Sequence, residues 1–221
     1  MLELVLLLSI IGLLLISQLI ISSTYRKYSI KEANLPVTGR ETVENMLNQN
    51  AIVDVSLRYV SGTLNDHYNS KNKTINLSKN SSEENTIASI AVAAHETGHA
   101  IQDHTGYFML KLRKFLAPIC AFSSRFVWIS IFIGLLLQYF ELIILGLIFM
   151  GVTILFQLVT LPVEFDASRR AVAYLSTVGY DNNTMKGIKK MLKAAAFTYV
   201  ASTLAALLQM IRLILNLKGD D

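Results

Sequence analysis

Apolar positions run almost unbroken through residues 2–22, with Glu3 at the start. About 20 such residues cross a bilayer as a helix. Arg26 and Lys27 follow this run instead of preceding it, the reverse of a cleaved signal, so a retained N-terminal anchor is predicted. Residues 24–84 then turn polar and mixed. Thr38 and Gly39 precede a predicted short helix with Val43, Met46 and Leu47 on one side. Alternating Val53, Val55 and Leu57 predict a strand within 52–59, and 68–78 reads as a second extended stretch with a turn over 69–72. Ser81 and Glu84 have capping-box spacing, which predicts a helix starting just before Ile87 and carrying Ile90, Ala94 and Ile101.

The second half is dominated by longer apolar stretches. Residues 126–161 are too many for one span and suit a tight helical hairpin, its tip formed by Gln138, Tyr139, Phe140 and Glu141. Residues 194–217 are a weaker candidate, interrupted by Gln209 and Arg212. They can span, lie along the interface or pack against the rest of the protein.

Composition agrees with this pattern. Of 221 residues, 52% are hydrophobic and 16% charged, and mean hydropathy is +0.45, which favours a membrane protein over a soluble domain. Cys120 is the only cysteine, so there is no intrachain disulfide or thiolate cluster, and a metal must be held by His and carboxylates. The net charge of +4 does not point to nucleic acid, because the basic residues gather beside apolar segments. Twelve of the twenty Lys and Arg lie between Arg26 and Arg125 and six between Arg169 and Lys193, with none before residue 26 or at the hairpin tip. The positive-inside tendency then places the N-terminus outside and the polar region in the cytoplasm of a multi-pass cell-membrane protein.

The chemistry lies in Ala94-His95-Glu96-Thr97-Gly98-His99, a His-Glu-x-x-His signature. On a helix, residues four apart share a face, so both imidazoles reach one metal ion, and Glu96 is placed to take a proton from a metal-activated water. A catalytic zinc takes three protein ligands. The pattern with Gly at 102 and His at 105 is absent, since Gln102 and Thr105 stand there. His104 is five past His99, about 140° round the helix. The best third ligand is Glu164, 65 positions after His99 (164 − 99), in Leu161-Pro162-Val163-Glu164-Phe165-Asp166-Ala167-Ser168-Arg169-Arg170. The alternative for Glu164 is an interfacial acid paired with Arg169 or Arg170. Asp166 is a candidate hydrogen-bond acceptor for a ligating imidazole.

With residues 93–102 and 161–169 both in view, the chain resembles the YugP-like neutral zinc metallopeptidases of bacterial membranes, over nearly its whole length. It is more distantly similar to the HtpX and CAAX prenyl protease type. The resemblance implies a zinc-dependent membrane peptidase with one zinc ion, His95 and His99 as ligands, Glu96 as catalytic residue and Glu164 as third ligand.

The expected fold is thus a mainly α integral membrane protein with a small α+β zincin-like catalytic region. Its parts are an anchor (1–22), the catalytic region (23–125), a transmembrane hairpin (126–161), the third-ligand helix with a cytoplasmic segment (162–193) and a C-terminal apolar helix (194–221). The expected partners are the lipid bilayer and a peptide or membrane-protein substrate, extended beside the 73–78 strand, with Glu96 as general base. Tyr68, His67, Tyr199 and Arg170 are candidate oxyanion donors. Two rivals remain: a non-catalytic membrane adaptor with a structural zinc, and a site-2-type intramembrane protease. The second is disfavoured because the apolar part of the motif helix, 87–100, is short and flanked by Glu83, Glu84 and Asp103.

Overall fold

A computed structural model describes residues 1–62 and 64–219. In chain order the elements are α1 (Leu2–Tyr28), α2 (Gly39–Gln49), β1 (Ser56–Tyr59), β2 (His67–Asn69), β3 (Thr74–Leu77), α3 (Lys79–Glu83), α4 (Ile87–His104), α5 (Phe108–Leu137), α6 (Phe140–Leu175) and α7 (Asn182–Gly219). Helices α1, α5, α6 and α7 are each long and apolar enough to cross a membrane. The protein is therefore mainly α and membrane-type, with a small α+β region, as the sequence predicts.

The chain forms two compact units. One comprises Met1–Gln18, Lys111–Pro162 and the stretch from Phe197 onwards. Here α5 and α6 reverse direction over Gln138 and Tyr139, Gln138 taking a φ of 56°. This is the expected hairpin tip, although Phe140 and Glu141 already belong to α6. Val127, Ile131, Met150 and Ile154 form the packed centre. Trp128, Phe132, Leu136, Ile148 and Leu155 face outward, the arrangement a lipid-facing surface requires.

The other unit comprises Leu19–Leu110 and Val163–Ala196. Its core joins Val43, Met46, Ile75, Leu77, Ile87, Ile90, Leu175 and Ile188. Helix α2 starts one residue earlier than expected, with Gly39 already inside it and Thr38 as its cap in a full capping box: the Thr38 hydroxyl accepts from the Glu41 N–H, and the Glu41 carboxylate accepts from the Thr38 N–H at 2.8 Å. The sheet has the order β1-β3-β2, β1 running parallel to β3 and β2 antiparallel to it, with Tyr68 opposite Ile75. The stretch 68–78 is therefore a hairpin, and β3 is the central strand.

The motif helix starts at Ile87, as expected, but Thr86 and not Ser81 caps it. Ser78 caps the single turn of α3, accepting from the Ser81 N–H, and Glu84 ends it. The next residues are held extended against the 31–33 segment: the Ala33 N–H donates to Asn85 O and the Ile87 N–H to Lys31 O, both at 2.9 Å. The segment between the two helices is thus pinned beside residues 31–33, and α4 has its own cap, Thr86, whose hydroxyl accepts from the Ser89 N–H. Helix α4 is buried along most of its length, and Ala88, Ala91, Ala93, Ala94 and Ala100 allow neighbours to approach from several sides.

Candidate metal centre

Two helices build the site. Along α4, His95, His99 and Gln102 follow at i, i+4 and i+7 and share one face, while along α6 Glu164 and Ser168 are one turn apart. The helices meet where Gly98 faces Ala167: a Cβ at Gly98 would lie 2.6 Å from the Ala167 carbonyl oxygen. No other residue permits that approach, and it carries Glu164 to the imidazoles.

Glu164 Oε2 lies 3.2 Å from His95 Nε2 and 3.5 Å from His99 Nε2. The ligand atoms of the three residues all fall within 4.8 Å of one another. Both rings turn their other nitrogen toward protein: His95 Nδ1 is 3.2 Å from Ser168 Oγ, and His99 Nδ1 is 3.0 Å from Gln102 Oε1. The Nε2 atoms thus converge with a carboxylate oxygen on largely buried side chains, a nitrogen-and-oxygen donor set that suits zinc. The residues fit the metal that the motif implies.

Glu96 projects beside this group. Its Oε2 accepts the Tyr68 backbone N–H at 2.8 Å, so the edge strand β2 holds the carboxylate. Burial pushes the Glu96 carboxyl above the usual range, against the pull of His95 and His99. The Tyr68 hydroxyl donates to Asp103 Oδ2 at 2.9 Å, and Lys73 Nζ reaches the same oxygen at 3.1 Å. Tyr68 therefore joins α4 twice, two turns apart. Burial, and then Asp103, raise its hydroxyl pKa well above that of an ordinary tyrosine.

Asp166 does not touch an imidazole. It accepts from Gln102 Nε2 at 3.0 Å and from Arg170 Nε at 2.6 Å, and it also pairs with Arg169. It thus reaches His99 through Gln102, and the two arginines pair with Asp166 instead of Glu164. The β3 stretch expected to bind an extended substrate has strands on both sides, so it offers no free edge. Among the proposed oxyanion donors, Tyr68 gives its hydroxyl proton to Asp103 and Arg170 gives Nε–H to Asp166. His67, neighbouring Tyr68 on β2, faces the opposite side of the sheet and is exposed, its Nδ1 2.8 Å from Asn65 O. Tyr199 belongs to the other unit. His104, the last residue of α4, is exposed.

Sequence reasoning passed over Gln102 and Ser168 as positive contributors. Their spacings, three after His99 and four after Glu164, were the available signal. The Tyr68 amide had none, because a backbone donor leaves no trace in residue type.

Residues 3–218 match the family described as "Putative neutral zinc metallopeptidase". The chain belongs to that family. A curated relative, "Putative membrane protease YugP" of Bacillus subtilis (strain 168), is 39% identical over 213 residues, covering 96% of this chain and 95% of the relative. No solved structure matches.

Proposed function

We propose that the protein is a zinc-dependent membrane peptidase in which His95, His99 and Glu164 hold one zinc ion and Glu96 is the general base. Convergence of the three donors beside Glu96 is the observation that carries the reading. Zinc bound in such a set supplies Lewis acidity, making water acidic near neutral pH and polarising a carbonyl. The Tyr68 N–H holds Glu96 Oε2, so Oε1 is the atom that takes a proton from water and returns it to the leaving amine. Burial keeps bulk water from competing for that proton. A structural zinc would need a fourth protein ligand, whereas the donor group among the described residues has three, which favours catalysis over the adaptor. The distribution of Lys and Arg supports a cytoplasmic site in a cell-membrane protein acting on a peptide or membrane-protein substrate.

The test is zinc content and peptide hydrolysis in detergent for wild type and Glu96→Gln. The expected result is one zinc in each and at least a roughly 100-fold loss of turnover in the variant. Equal hydrolysis by both proteins sinks the assignment of Glu96.

A further inference from the structure

Gln102 is fully buried, and every hydrogen-bonding arm of its amide points at a named group. Nε2 donates to Val163 O at 2.8 Å and to Asp166 Oδ2 at 3.0 Å, while Oε1 faces His99 Nδ1 at 3.0 Å. The reversed amide would press its oxygen against a carbonyl and a carboxylate oxygen, both pure acceptors. Only one orientation is therefore permitted. With Oε1 as the partner offered to His99 Nδ1, that nitrogen carries a proton, which leaves Nε2 as the nitrogen that can offer a lone pair at the metal position.

We propose that Gln102 is a positioning residue that fixes the tautomer and ring direction of His99, with Asp166 and the Val163 carbonyl locking the amide from behind. Arg169 and Arg170 complete the chain by pairing with Asp166. His95 has the simpler support of Ser168, a hydroxyl that can rotate to either role, so the constraint falls on His99. The proposal rests on the zinc reading above.

Two variants separate positioning from packing. Gln102→Met fills nearly the same volume but offers His99 only a thioether, a weak acceptor, in place of the amide oxygen. Gln102→Glu keeps an acceptor for His99 while setting a carboxyl against Asp166 and the Val163 carbonyl. Zinc affinity by chelator competition, visible absorption of the cobalt-substituted protein and apo thermal unfolding are measured for both. The expected orders cross. Zinc binding weakens about 10- to 100-fold in Gln102→Met, with an altered cobalt spectrum, and far less in Gln102→Glu. Thermal stability falls more in Gln102→Glu than in Gln102→Met. Should one variant fail to fold, the cobalt spectrum of the other decides: altered for Met, or wild-type-like for Glu, supports the proposal. Zinc affinity that simply tracks stability, or a Gln102→Met that binds zinc like wild type, overturns it. A wild type that binds no zinc overturns the metal reading itself, and this proposal with it.

Discussion

Replacing Gly98 with alanine would put a methyl carbon 2.6 Å from the Ala167 carbonyl oxygen and 3.1 Å from the Ala167 carbonyl carbon and Cα. All three are backbone atoms of α6, so no side chain can swing aside. To restore van der Waals contact, α4 and α6 must separate locally by roughly 0.5–1 Å. Overpacking of this kind costs about 1–3 kcal/mol, and alanine's better helix propensity returns up to about 1 kcal/mol. The net loss of stability is therefore modest, on the order of 0–2 kcal/mol. The ligand set is far less forgiving, because metal–ligand distances hold to within about 0.2 Å. Gly98 directly precedes His99, and Ala167 is three residues past Glu164, so the separation acts on the span between the imidazoles and the carboxylate. Zinc affinity should fall about 10- to 100-fold while the apo protein still folds. Chelator competition gives the affinity and thermal unfolding the stability. Gly151→Ala, on the same α6 but with nothing within 4 Å of the added carbon, is the control and should bind zinc as wild type does. Wild-type zinc affinity in Gly98→Ala would refute the argument that this contact sets the reach of Glu164.

Tyr68→Phe removes the hydroxyl given to Asp103 but keeps the backbone N–H given to Glu96. It should cost about 1 kcal/mol of stability and change turnover by no more than about threefold; a 100-fold fall in kcat at unchanged stability would restore Tyr68 as an oxyanion donor. Glu41 is held below its ordinary pKa by the Thr38 N–H and then the Thr38 hydroxyl. A depressed folded pKa contributes stability above the unfolded value of about 4.3, which is lost as pH falls through the folded value. Glu41→Gln should therefore unfold at a lower temperature than wild type at pH 7, with the gap closing below about pH 4; a gap that is the same at both pH values refutes this account of the cap.

Much was legible in the chain because it depends on neighbours in sequence. Hydrophobic runs define the long helices, since a span needs only length and apolarity. Val43, Met46 and Leu47 mark α2 just after Thr38, since one apolar face repeats every three to four residues along a helix. His95 and His99 share a face because a helix repeats every 3.6 residues. Local rules failed where distant groups compete: Ser81 and Glu84 have the right spacing for a cap, but backbone pairing with residues 31–33 holds the chain extended until Thr86. Glu164 could be nominated from its block, yet only packing at Gly98 brings it to 3.2 Å from His95. Whether Asp166 touches an imidazole directly or through Gln102, and whether Tyr68 serves Glu96 by its hydroxyl or its amide, are questions of hydrogen-bond geometry across 28 to 64 residues of separation. Residue identity alone determined which groups can ligate or carry a proton. Tertiary packing decided which atoms meet, because a hydrogen bond or a ligand set tolerates only a few tenths of an ångström.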